Sequence, residues 1–253
     1  MSIEKAFNAI RTWATGLALV AASAMPLSAS AGLIQMSSGV GSFSNVSFLA
    51  GPVGTLTTPG FTTAFTNADF AAARSGAETS NVVTPHPAWK PVLNTDLSAR
   101  WISTETTSSA TGRSALFAVP FFIPGPLVSA AIEFNYMVDN GLGSVINGST
   151  INQGLFINGT ALSGTTTTAQ QVSVSNFQSD QQIIRTDIVS LLQTGINWLY
   201  INASNAGGPS GLIFSTEIEF VEATQNPGIP VPSVIALLAI GALAFRARVS
   251  PRA

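Results

Sequence analysis

Apolar and polar positions alternate most clearly at Leu212, Phe214, Thr216, Ile218 and Phe220, whose mostly apolar face opposes Ser215, Glu217 and Glu219. A period of two marks a half-buried strand. Ile132, Phe134, Tyr136 and Val138 alternate against Glu133 and Asn135 in the same way. Two stretches lack a polar face. Ala115–Ile123 is apolar apart from Pro120, and Asn197–Asn202 sets Trp198 and Tyr200 on one side with Leu199 and Ile201 on the other. Such runs predict strands covered on both faces or, for the first, an edge strand ended by proline. Gly154–Asn158 and Gln171–Phe177 are shorter candidates. Ile184, Ile188, Leu191 and Leu192 instead recur at helical spacing, with Gly195 able to stop the turn, so one short helical segment is expected there. Short strands between Gly-, Pro- and Asn-rich turns predict an all-β fold, a β-sandwich or jelly roll, with its core over 85–224. The part before it, 32–84, carries Phe43, Phe48, Phe61, Phe65 and Phe70 in an irregular spacing that fits either first strands or a drape over the core.

The two ends follow another pattern. Lys5 and Arg11 precede an apolar run from Gly16 to Leu27, which closes on Ala29-Ser30-Ala31 before Gly32. Cations, an apolar run and a small-residue site, in that order, are the layout of a secretory signal peptide. Residues 1–31 are therefore expected to form a signal helix, cut by a signal peptidase whose pocket accepts the small Ala29 and Ala31. At the other end a linker, 225–228, leads to Ile229-Pro230-Val231-Pro232-Ser233. Val234–Phe245 then runs without a charge, and Arg246, Arg248 and Arg252 follow. A twelve-residue helix spans about 18 Å against about 30 Å of hydrocarbon. Arginines beyond it hold that end on the cytoplasmic side. A short, Gly/Ala-rich hydrophobic helix so flanked suits a temporary stop that a membrane enzyme cuts, with a permanent anchor as the alternative.

This tail, 229–253, resembles the PEP-CTERM sorting signal of Gram-negative bacteria: a Pro-Glu-Pro-like motif, a short transmembrane stretch and an Arg-rich end, read by an exosortase. Pro230, Val231, Pro232 and Ser233 lie on the family's Pro-Glu-Pro-Ser positions, with Val231 in place of the usual Glu. The resemblance implies export across the inner membrane, transient membrane insertion, and a final place at the cell surface or in the extracellular matrix. The middle of the chain is similar to the galactose-binding-like jelly rolls found in many such tailed proteins. The pieces that carry this are His86-Pro87-Ala88-Trp89, Arg100-Trp101-Ile102-Ser103, Val119-Pro120-Phe121-Phe122-Ile123-Pro124 and Asp139-Asn140. Phe156-Ile157-Asn158-Gly159, Gly195-Ile196-Asn197-Trp198-Leu199-Tyr200 and Gly207-Gly208-Pro209-Ser210-Gly211-Leu212 complete the order. A jelly-roll resemblance does not confer sugar binding.

Composition narrows the chemistry. The 253 residues contain no cysteine and one histidine, His86, which removes disulfides, thiolate sites and His-pair metal sites. Only 9% of residues are charged, and the formal net charge is −2. Between Gly32 and Gly228 five cations face eleven acids, a balance that excludes a nucleic-acid partner. Glu217 and Glu219 share a strand face roughly 7 Å apart, within the range two glycosidase carboxylates need. A solvated strand face explains them equally, and no Gly-x-Ser-x-Gly elbow accompanies His86. No catalytic residue is assigned.

His86, Trp89 and Lys90 lie on a loop stiffened by Pro85, Pro87 and Pro91. An exposed indole there can stack on a sugar ring; the favoured alternative is that Trp89 covers one end of the sandwich. Trp101 and Trp198 are expected in the core. Asp139 and Asn140 offer oxygens for a structural Ca²⁺, although turn chemistry accounts for them without one, and no other cofactor is implied. The leading reading is an exported, non-catalytic surface or matrix β-sandwich. The alternatives are a module that binds extracellular polysaccharide and a secreted glycoside hydrolase.

Overall fold

The computed structural model describes residues 30–167 and 176–223, of which Ala31–Ala223 forms one compact unit. Ala29, the sorting motif, Arg246, Arg248, Arg252 and most of the expected strand Gln171–Phe177 lie outside the described residues. Among the described residues no helix is long and apolar enough to cross a membrane.

In chain order the strands are β1 (Ala31–Ser37), β2 (Ser47–Ala50), β3 (Asn81–Val82), β4 (Ile102–Ser103), β5 (Ala115–Ile123) and β6 (Leu127–Asp139). Next come β7 (Gly141–Leu142), β8 (Ser144–Ile146), β9 (Ser149–Asn152), β10 (Leu155–Ile157) and β11 (Thr160–Ala161). The last three are β12 (Gln181–Arg185), β13 (Gly195–Ser204) and β14 (Gly211–Glu222). One sheet runs β12-β6-β14-β4-β3, with β1 also on β14; the second runs β11-β10-β13-β5-β2, with β7 on β13. Strands β8 and β9 make a separate hairpin. All pairings are antiparallel, so the fold is an all-β sandwich.

Alternation in β6 and β14 fixes which side chains meet. Ile132, Phe134, Tyr136 and Val138 stand opposite Ile218, Thr216, Phe214 and Leu212. All eight are buried against Phe117, Val119, Phe121, Leu199 and Ile201 of the second sheet or beside them. Phe134 stacks on Phe214 with centroids 5.9 Å apart. Thr216 is the one polar member of this row, and its Oγ1–H donates to the Glu133 carbonyl at 2.8 Å, which removes the cost of burying it.

The runs apolar on both faces are covered on both faces. The outward side chains Leu116, Ala118, Phe156 and Tyr200 lie beneath helix α1 (Asn67–Ala73) and the phenylalanines that lead into it. Phe70 packs on Tyr200 at 4.8 Å and on Phe156 at 5.2 Å, and Phe61 meets Phe65 at 4.7 Å. A reciprocal cap starts α1: the Thr66 N–H donates to Asp69 Oδ2 at 2.7 Å, and the Asp69 N–H to Thr66 Oγ1 at 3.4 Å.

Helix therefore occurs in the irregular part of the sequence, and the segment read as helical does not form one. Gln181–Arg185 is β12, paired with β6, and only Val189–Leu191 makes a single 3-10 turn. Ile184 points outward while Ile183 packs on the core, so a period of two governs there, and Ile188 reaches the interior through the turn.

Register also sets the two ends of the sandwich. Ala31 pairs with Val221, and Glu222 pairs with Leu127 beyond a bulge. The Ala223 N–H donates to the Pro126 carbonyl at 2.7 Å, and Gly195 pairs with Ile123. The chain thus enters and leaves the compact unit at one end, beside the Pro124–Pro126 loop. Gly141, Ser204 and Gly211 mark the opposite end.

Candidate functional site

The proline-stiffened loop folds over the far end of the first sheet. There the outward side chains Met137 and Ile213 need cover, and Val83, Trp89, Leu93, Ala99 and Trp101 supply it. Trp89 is only 4% exposed and stacks on Trp101 with centroids 4.3 Å apart at 28°. Its Nε1–H donates to Asp139 Oδ2 at 2.8 Å, and the Trp101 Nε1–H donates to the Lys90 carbonyl at 2.9 Å. Both indoles are thereby buried with their polar ends satisfied. The Trp89 ring offers no free face to a sugar. The exposed platform expected as one reading of His86, Trp89 and Lys90 is replaced by a plug over the sheet.

His86 and Lys90 serve the plug. The Ala88 N–H donates to His86 Nδ1 at 3.2 Å, which places the proton of a neutral ring on Nε2. Lys90 Nζ pairs with Asp180 Oδ1 at 2.7 Å, and the Asn94 N–H donates to Asp180 Oδ2 at 2.6 Å. The Lys90 N–H donates to the Phe177 carbonyl at 2.9 Å, so the segment 177–180 clips the loop down. No local motif marks Asp180 in the sequence, because its partner Lys90 lies 90 positions away.

Asp139 is buried at the base of the plug. Burial pushes its carboxyl up to about 6, while the Trp89 hydrogen bond pulls it the other way. Its Oδ1 accepts from Asn140 Nδ2 at 2.6 Å. Asn140 Oδ1 accepts from the Ala206 N–H at 2.7 Å, and its carbonyl accepts from Asn176 Nδ2 at 3.1 Å. The oxygens considered for Ca²⁺ are thus engaged by N–H donors of the chain. Among the described residues no three His, Asp or Glu side chains gather as a cation site would require. The space beside Asp139, bounded by Ser103, Arg113, Asn205 and Ser210, amounts to ≈ 10 Å³. That is about one water molecule and far short of a sugar ring.

The outer face of the first sheet remains open and anionic. Glu217 stands opposite Glu133, and Glu219 opposite Ala131. Glu217 Oε1 accepts from Gln35 Nε2 at 2.6 Å; Glu133 Oε1 accepts from Asn135 Nδ2 at 2.9 Å and Gln182 Nε2 at 2.8 Å. These carboxylates lie on a sheet face bridged by amides. A shallow depression of ≈ 500 Å³ opens at the end where the chain enters and leaves, walled by Leu33, Ala131, Glu219 and Val221. Glu219 reaches it and Glu217 does not line it, so the pair considered for glycosidic cleavage does not flank one cavity.

The second sheet departs from expectation at Trp198, which is half-buried rather than in the core. It stacks loosely on Tyr200 at 6.4 Å and stands opposite Pro120; in the next row Ile196 stands opposite Phe122. Phe122 and Ile196 are each 60% exposed. Apolar alternation cannot distinguish a covered outer row from an uncovered one, and here the cover over Tyr200 stops short.

No protein-family model matches the chain, and no curated protein matches it. Among solved structures there is a likeness to the isomalto-dextranase of Arthrobacter globiformis T6, complexed with panose. It has 12% identity and a TM-score of 0.29, and covers 76% of this chain. The chain spans about a third (32%) of that enzyme's length. At this score and identity the likeness says nothing of the present chain's activity.

Proposed function

We propose that this protein is an exported, non-catalytic β-sandwich, delivered to the surface or extracellular matrix of a Gram-negative bacterium by its C-terminal tail. The observation that carries the reading is where the folded unit stops. Strand β1 opens at Ala31 and β14 closes at Glu222, so the compact unit falls between two segments whose sequences read as addresses. Signal peptidase would cut after Ala31, leaving Gly32 as the first residue. Ala31 is exposed, and β1 from Gly32 onward keeps its pairing with β14. An exosortase would then act near Pro230, Val231, Pro232 and Ser233, reached through the linker 225–228, while Arg246, Arg248 and Arg252 hold the tail across the membrane. The inward turn of Trp89 and the engaged oxygens of Asp139 and Asn140 favour a structural cargo over a sugar-binding module. Deleting Ile229–Ala253 tests the sorting role: the truncated protein is expected to leave the surface fraction and accumulate in the periplasm. An unchanged distribution would rule it out.

A further inference from the structure

The end of the sandwich at which the chain enters and leaves carries an apolar corner. Ile196 and Phe122 stand opposite one another on the outer face of the second sheet, with Trp198 and Pro120 in the next row inward. The cover formed by Phe61, Phe65 and Phe70 lies over Leu116, Ala118, Phe156 and Tyr200 and leaves the outermost rows open. Val128, 61% exposed, stands just past the Pro124–Pro126 loop at the same end. Across all nineteen residues of β5 and β13 there is no Asp, Glu, Lys or Arg. The first sheet, by contrast, turns Glu133, Glu217 and Glu219 outward.

Tether length decides what this corner meets. Five residues, 224–228, separate Ala223 from Ile229, where the apolar tail begins. Fully extended, the six steps from Ala223 to Ile229 reach at most about 22 Å. A tail inserted in a bilayer therefore keeps this end, and not the Trp89 end, within that distance of the lipid. Tryptophan, phenylalanine and isoleucine on an uncharged surface are side chains that settle at the boundary between headgroups and acyl chains.

We infer that the Phe122–Ile196–Trp198 corner is a lipid-contact surface that seats the tethered protein on a phospholipid bilayer, with the Trp89 plug pointing away. This rests on the reading that the tail inserts in the membrane. During sorting the contact holds the linker and the Pro230–Ser233 motif close to the bilayer surface, where a membrane enzyme works.

The chain has no cysteine, so a single introduced one carries a probe uniquely. Full-length Phe122→Cys and Ile196→Cys variants, labelled with an environment-sensitive fluorophore, are reconstituted into phosphatidylethanolamine–phosphatidylglycerol vesicles containing spin-labelled lipid. Leu56→Cys is the control. Leu56 is 55% exposed, and its loop lies at the far end, where Gly54 abuts the Asn205 carbonyl. All three positions are open, so the substitutions leave the core intact. Lipid quenching at positions 122 and 196 is expected to exceed that at 56 several-fold. Equal quenching at the three positions, in protein that floats with the vesicles, would overturn the lipid contact and leave membrane insertion of the chain standing. Protection at 122 that depends on protein density rather than on lipid quencher would assign the corner to a second copy and overturn it too. Failure of the full chain to float would remove the tail reading and this inference together.

Discussion

Replacing Trp89 with Phe should destabilise the protein more at pH 8 than at pH 4.5. The substitution keeps an aromatic ring over Trp101 but removes the Nε1–H that donates to Asp139 at 2.8 Å. A hydrogen bond to a charged group contributes about 1.5–3 kcal/mol, and the smaller ring also gives up packing. Burial already raises the Asp139 carboxyl from 3.8 to about 6. With its folded value above its unfolded one, this carboxylate costs stability above about pH 6. The cost is relieved as pH falls from about 6 toward 3.8, by about 3 kcal/mol in all. Trp89 lowers the cost because its bond favours the ionised form. Without it the Asp139 carboxyl should climb further, and the part of the bond specific to the carboxylate, about 1 kcal/mol, should vanish from the variant's penalty between pH 8 and pH 4.5. Urea unfolding at both pH values, extrapolated linearly to water, measures this directly. An equal penalty at both would show that the Trp89–Asp139 bond does not discriminate the ionised carboxyl, and the electrostatic description of the plug would fall.

Other consequences are quicker to check. A Cβ added at Gly211 would lie 2.6 Å from Trp89 Cη2, 2.8 Å from its Cζ3 and 3.0 Å from Trp101 Cε3. Gly211→Ala should therefore cost about 1–3 kcal/mol by overpacking the indole pair, seen as a melting temperature lower by several degrees; an unchanged one would refute the tight stack. Asp96 shows the opposite pH behaviour to Asp139. Partial burial pushes its carboxyl up, but hydrogen bonds from Ser37, Ser98 and Ser215 outweigh that and hold it at about 2. Its contribution is present above 3.8 and lost as pH falls toward about 2. Asp96 is half-buried and still reached by solvent, so the Asp96→Asn variant should flatten that acid slope by less than about 1 kcal/mol, and an identical slope would contradict it.

The long strands were legible because one physical requirement, burial of alternate side chains, wrote them into the sequence. Leu212–Phe220 and Ile132–Val138 are half-buried strands as their patterns suggested, and the register pairs them with each other; Ala115–Ile123 and Asn197–Asn202 are two-sided because a second layer covers part of them. Helix α1 escaped notice because it buries only Phe70 and Ala73, a single i,i+3 pair in seven residues. The Ile184–Leu192 spacing misled because it spans a strand and a turn rather than one element. Trp89 was ambiguous for a different reason. Whether an indole on a loop faces in or out depends on a partner distant in sequence, and its partner Asp139 was itself readable as a cation ligand. The uncovered rows at Phe122 and Ile196 have no local signature at all, since a covering segment elsewhere in the chain decides their exposure.

Intact mass of the native protein from each cell fraction bears most directly on an exported cargo trimmed at both ends. The expected species, from the surface or matrix fraction, begins at Gly32 and lacks the segment carrying Arg246, Arg248 and Arg252. A polypeptide running from Met1 to Ala253 and confined to the cytosol would contradict it.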